Sequence, residues 1–337
     1  VKFIKHFNLN EALGVSKPSI ILVEFLSNRI YQDFIDFFES GKDRIKIEDN
    51  IKWKTIRDNL SSDDLKIWKS FPVVEFILKI RFQKNVNFMD RKSIYSVGGE
   101  FSRFSNSGSD RFSLVFDVNG DPAIRINMGI DIEISDFFSE DHFDDLFVHI
   151  KSTILHEMNH AYEYYMRDIT PDQYLGVACI TLKNPDSSII SDDLFHEWEN
   201  FTYLLYYSDP IEINAMSQES LGHIEDSKSK GDFNKIPAWI WSKKMIQFSA
   251  NKTISSLLIL ANNDRSKLDL LKDALDRRLK TVINADKGSK WSMKLKDKFQ
   301  RIDSLSWDQL IKNNEKGIQS SGKRLKKNIL RLFSYSE

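Results

Sequence analysis

The 337-residue chain carries 48 Lys plus Arg against 49 Asp plus Glu, a formal net charge of -1, and 41% of its residues are apolar. That apolar content supports folded cores and excludes whole-chain disorder, and the length allows two or three domains of roughly 100–200 residues. The longest apolar runs fall far short of the roughly 18 residues a membrane span needs, and no apolar signal core opens the chain, so a soluble, cytoplasmic protein without membrane contact is expected. A single cysteine, Cys179, excludes an internal disulfide and any zinc knuckle built from several cysteines.

The near-zero charge is a cancellation. Residues 1–130 carry a net of +3, residues 131–226 a net of -18, and residues 227–337 a net of +14. Soft boundaries therefore fall near residues 95 and 227.

In chain order, Ile20, Val23, Leu26, Ile30, Phe34 and Phe37 recur three or four apart, which predicts one amphipathic helix over 19–40, ended by Ser40-Gly41. Phe76, Leu78, Ile80 and Phe82 alternate with Lys79 and Arg81 as in a half-buried strand, with a helix as the alternative. Phe112, Leu114 and Phe116, the turn Asn119-Gly120-Asp121-Pro122, and Ile124, Ile126 and Met128 predict a β-hairpin. Helical patterns follow over 141–168, 192–207 and 210–225, and several more fill the basic third.

The chemistry concentrates in Thr153-Ile154-Leu155-His156-Glu157-Met158-Asn159-His160-Ala161-Tyr162, an H-E-x-x-H pattern inside a helical stretch. On a helix His156 and His160 lie about 40° apart and about 6 Å along the axis, so both imidazoles can reach one ion. Leu146, Ile150, Ile154, Met158, Ala161 and Tyr165 form a separate apolar arc, which buries one face while the histidines look into a cleft. Glu157 points to another side and stands beside the ion as a proton acceptor.

With Ile154, Met158, Asn159 and Ala161 as uncharged flanks and Tyr162 at the following hydrophobic position, the segment resembles the zincin metallopeptidases. The resemblance covers about residues 95–226. It implies an α+β catalytic domain over 96–226, with a small mixed sheet and an active-site helix. A mostly helical region 1–95 and a basic helical region 227–337 flank it. In that fold an edge strand upstream of the metal helix aligns the substrate by β-augmentation, a role assigned by resemblance to Ile124–Met128. Zinc takes a third protein ligand and leaves a fourth position for water. The metzincin continuation would need Gly at position 163 and His at position 166, where Glu163 and Met166 stand. The gluzincin arrangement is the better match, with Glu212 in Asp209-Pro210-Ile211-Glu212-Ile213-Asn214-Ala215 as the third ligand and Ala215 permitting close helix approach. The same segment also has the form of a capping box, with Asp209 as N-cap and Glu212 as the N3 carboxylate.

The implied activity is that of a zinc-dependent metallopeptidase: zinc lowers the pKa of a water to about 7, and Glu157 accepts its proton as general base. An oxyanion donor is expected from Tyr203, Tyr206 or Tyr207, with Tyr206 as the candidate, although core packing is the ordinary role of any one of them. Glu197 or Glu199 stands in reserve as third ligand. His149, about 10 Å from His156 along the helix, and His223, about 16 Å from Glu212, lie too far away to share the ion. Asp117, Asn119 and Asp121 have the spacing of a calcium loop, but Pro122 and Met128 occupy the places where that loop needs Gly and Glu.

The partner implied is a peptide or protein substrate. The runner-up is a non-catalytic structural or binding protein with a zincin-like core, whose basic third, rich in Lys323, Arg324, Lys326 and Lys327, contacts nucleic acid or an acidic partner. Those lysines also suit the wet faces of packed helices, or a surface that docks on the acidic segment.

Overall fold

In the computed structural model the described residues are 17–52, 73–84, 94–102, 114–116, 122–166, 181–230, 233–285 and 302–335, with a few single or paired positions between them. They form helices and a small mixed sheet, an α+β arrangement. Two compact units divide the chain: residues 1–167, 215–236 and 331–337 make the first, and residues 168–214 and 237–330 make the second.

The first unit begins with α1 (Lys17–Glu39), the predicted amphipathic helix, whose Val23, Leu26, Ile30, Phe34 and Phe37 are all buried. Its sheet comprises β1 (Arg44–Ile51), β2 (Val73–Gln83), β3 (Tyr95–Ser102), β4 (Leu114–Phe116) and β5 (Pro122–Ile134). The order is β1-β2-β5-β3, with β4 beside the start of β5. Only the β2–β5 pair is parallel, and the other pairs are antiparallel. The predicted hairpin is present, with Leu114 opposite Ile124 and Phe116 opposite Pro122.

Ile124–Met128 is not the edge strand that the resemblance assigned. It lies inside β5, flanked on one side by β2 (Ile124 opposite Val74, Met128 opposite Leu78) and on the other by β4 and β3 (Ile124 opposite Leu114, Met128 opposite Phe101). The reason is the parallel addition of β2, a pairing between segments about 50 residues apart that local alternation does not encode. Among the described residues, β1 lies at one edge of the sheet, and β3 and β4 lie along the other.

Alternation then decides which face is dry. Leu78, Ile80 and Phe82 of β2 sit opposite Met128, Ile130 and Ile132 of β5, and all six are buried. The other face is polar: Arg81 of β2 pairs with Asp131 of β5 at 2.7 Å. A short 3₁₀ turn at Glu140–His142 leads into α2 (Phe143–Met166), which lays Leu146, Ile150, Ile154 and Met158, the predicted arc, onto the apolar face. Phe34, Phe37, Phe38, Phe82, Phe138 and Phe143 interlock there, with the Phe37 and Phe82 rings stacked at 5.3 Å.

Helix α3 (Asp192–Tyr207) opens on Ser191, whose hydroxyl accepts from the Leu194 amide, and buries Trp198 and Phe201 in the second unit. Helix α4 (Pro210–Lys230) starts in the second unit and continues through the first. The second unit is completed by α5 (Pro237–Ile246), α6 (Ala250–Leu260), α7 (Arg265–Ala285) and most of α8 (Trp307–Tyr335). A side chain at Gly322 of α8 would lie 2.7 Å from Met245 Cβ, so glycine permits the close crossing of α8 and α5.

Within the second unit, described residues of the 168–214 stretch pack on the basic helices through ring contacts and hydrogen bonds. Phe201 stacks on Phe248, Tyr207 lies 4.4 Å from Trp241, and Arg324 and Arg278 donate to the side-chain oxygens of Asn214 and Thr181. Among the described residues no helix is long and apolar enough to cross a membrane. Cys179 is buried and unbridged, and burial pushes its thiol above the usual range.

Candidate metal centre

Helix α2 passes behind β3 at Gly99. A Cβ at that position would lie 2.6 Å from Thr153 Cγ2 and 2.8 Å from Glu157 Cγ and Oε1, so Thr153 and Glu157 form the face of α2 turned to the sheet edge. One step round the helix, His149, Ser152 and His156 face α4. The His149 and His223 rings meet at 4.8 Å, a Cβ on Gly222 would overlap Ser152 Oγ, and His156 Nδ1 lies 3.2 Å from Glu219 Oε2. These contacts run in opposite senses along the two helices, so α2 and α4 are antiparallel. The same register carries the first turn of α4 towards His160.

There His156, His160 and Glu212 each turn one ligand atom into a cluster whose members lie within 4.8 Å of one another, a group that can hold a metal ion. The two Nε2 atoms are 3.0 Å apart, also the distance of an imidazole–imidazole hydrogen bond. Two nitrogens bound tetrahedrally at about 2.0–2.1 Å from one ion stand about 3.3 Å apart, so a small adjustment admits zinc. The donor set of two imidazoles and one carboxylate is chemically right for it. The Glu219 carboxylate beside His156 Nδ1 favours the tautomer with Nδ1–H, which would leave the Nε2 lone pair available to a metal ion.

The capping reading of Glu212 finds a rival in the structure. Asp209 does cap α4, its Oδ1 accepting from the Ile211 amide at 2.9 Å. Yet the Asp209 amide already donates to the Tyr206 carbonyl at 3.1 Å, the donor that a capping-box carboxylate at Glu212 would have taken. The Glu212 carboxylate, 7% exposed, is turned to the histidines instead.

Helix α4 is unusual in being polar and buried. Glu212, Ser217, Gln218, Ser220 and His223 are all buried, as are Ser152, Glu157 and Asn159 on α2. Among the described residues, the side-chain amides of Asn159 and Gln218 are buried and meet no hydrogen-bond partner.

The remaining sequence candidates fall elsewhere. His196 is exposed and bonded to Glu199 at 3.2 Å, and neither Glu197 nor Glu199 joins the cluster. The Tyr206 ring covers Gly176 and meets Tyr207 at 4.9 Å, while Tyr203 and Tyr207 pack against Trp241. The Tyr203 hydroxyl is pushed above its usual range by burial and then by the Glu199 charge. His149 touches Tyr95 as well as His223. Asp117, Asn119 and Asp121 lie outside the described residues. Sequence reasoning missed Glu219 and Gly99. Glu219 follows Glu212 by seven residues, two helical turns, and so shares its face; Gly99 gave no sign of what it faces. No family model, curated protein or solved structure matches the chain, so the arrangement of these side chains is what speaks for its chemistry.

Proposed function

We propose that this chain is a zinc-dependent metallopeptidase of gluzincin type, with His156, His160 and Glu212 as ligands and Glu157 as general base. The observation that carries the reading is the convergence of those three ligand atoms at the end of the H-E-x-x-H helix, with Glu157 on the adjacent face. Zinc, when bound, would supply a Lewis acid that polarises the scissile carbonyl and acidifies water. The protein's own part is orientation and proton transfer. Glu219 holds the His156 ring in its ligating tautomer. The Glu157 carboxylate takes a proton from the attacking water and passes it to the leaving amine nitrogen as the C–N bond breaks. Burial of Glu157 against Gly99 limits its rotamers. The role of aligning an extended substrate passes to β3, the sheet edge against which Glu157 is packed.

Metal analysis of the purified protein, paired with cleavage of a diverse peptide library, tests this. About one zinc per chain is expected, lost in His156→Ala. Glu157→Gln should keep the zinc while hydrolysis falls about 10²–10⁴-fold. Absence of bound zinc would overturn the reading. Zinc with no cleavage by the unaltered protein would make the centre structural.

A further inference from the structure

A second candidate site, sharing no residue with the ligand cluster, lies in the second unit. The segment Thr181–Pro185 and one side of α7 enclose a cleft of about 710 Å³, lined by Thr181, Lys183, Asn184, Arg277, Arg278 and Thr281 among others. Its volume falls within the roughly 300–1,000 Å³ typical of small-molecule sites. Among the described residues, three of the lining side chains are cations and none is a carboxylate. Among the described residues no carboxylate pairs with Lys183, Arg277 or Arg278, although ion pairs do form nearby, between Lys272 and Asp276 and between Lys280 and Asp303.

The guanidinium of Arg278 is set in place by a neutral partner: its Nε donates to Thr181 Oγ1 at 2.7 Å. That bond fixes the plane of the fork without spending its charge, and leaves the terminal nitrogens as donors. Asn184 and Thr281 are occupied in shaping the walls. The Asn184 amide bridges the Ile190 carbonyl and the Asp186 amide, and the Thr281 hydroxyl donates to the Arg277 carbonyl. The result is a concave wall with a charge of +3, one arm of it pre-oriented, and no counter-charge among the described lining residues.

We propose that this cleft binds a small polyanion, a phosphoryl or polycarboxylate group gripped by Arg277, Arg278 and Lys183. Charge-assisted bonds to forked guanidinium donors give such a group both affinity and orientation. The compact grouping of the three cations around a cavity, in place of a stripe along a surface, selects a small ligand over a nucleic-acid strand. The site does not depend on the metal centre or on any peptidase activity.

Isothermal titration of the full chain with inorganic pyrophosphate and, separately, with citrate tests the proposal and distinguishes the two kinds of anion. Saturable binding of at least one is expected, weakened about tenfold or more by Arg277→Ala and by Arg278→Ala. Arg278→Lys keeps the charge but loses the fork, so it should bind more weakly than the unaltered protein while unfolding at the same temperature. Lys323→Ala, on α8, should bind as the unaltered protein does. Binding of neither anion would overturn the proposal. So would binding that survives in the Arg277→Ala/Arg278→Ala double variant, which would place the anion elsewhere, including at the metal. Equal weakening in Lys323→Ala would show attraction to general positive charge and would overturn it as well.

Discussion

Replacing Gly99 by alanine adds one methyl group where β3 meets α2. The new Cβ would stand 2.6 Å from Thr153 Cγ2 and 2.8 Å from Glu157 Cγ and Oε1, against an ordinary carbon–carbon contact of about 3.5–4.0 Å. About 1 Å must be found. Thr153 is β-branched and stiff on its helix, so it yields little. Glu157 has more rotatable bonds and moves instead, or β3 retreats from the helix. Overpacking of this kind costs about 1–3 kcal/mol. At roughly 2–4 °C per kcal/mol for a unit of this size, the thermal midpoint should fall by several degrees. If Glu157 is the base, a displacement of about 1 Å should also cost on the order of 10²-fold in kcat, with zinc content unchanged. Thr153→Ser removes the methyl at 2.6 Å, so Gly99→Ala/Thr153→Ser should recover part of the stability but not the displaced carboxylate. The assays are thermal unfolding, zinc analysis and kcat on a peptide found in the library screen. A Gly99→Ala protein that matches the unaltered one in midpoint and kcat would refute the close approach of β3 to Glu157.

Other expectations follow from the same geometry. Glu219→Ala should weaken zinc about 10–100-fold in competition with a chelator, because His156 loses the acceptor that orients it; unchanged affinity would free Glu219 of that role. Phe34→Ala, at the centre of the phenylalanine cluster, should cost about 3–5 kcal/mol in urea unfolding. The Ser266 hydroxyl at the start of α7 holds the Asp264 carboxyl below the usual carboxylate range. A depressed folded value means stability that is present above the ordinary aspartate range and lost as pH falls through the lower folded one. Asp264→Asn should therefore lower the midpoint near neutral pH, and the gap from the unaltered protein should close as pH falls below the ordinary aspartate range, as read by thermal scans across acid pH.

Much of the fold was legible because its signals are local. The three- and four-residue spacing that ends at Phe37 marks α1, the alternation from Phe76 to Phe82 marks β2, and the alternation of Ile124, Ile126 and Met128 marks β5. Strand β3 was not legible. Tyr95 and Val97 pack against the core, and Gly99 breaks the apolar alternation at the point where α2 needs room. Strand β1 does alternate through Ile45, Ile47 and Ile51, yet Asp49 interrupts the series, and the charges around it read as surface.

The sequence by itself determined the metal-helix pattern of His156, Glu157 and His160, the apolar arc behind it, and the N-cap at Asp209, because each depends on residues within one or two helical turns. Tertiary structure decided the rest. It made Ile124–Met128 an interior strand, through parallel pairing with β2. It turned Glu212 to the histidines, through the antiparallel register of α4 on α2. It met the charge of Arg278 with a hydroxyl, where the segment totals of -18 and +14 suggested that opposite charges would pair. Each of these outcomes joins residues about 50 or more positions apart, and the free energy that selects them comes from surfaces existing only once the chain has folded.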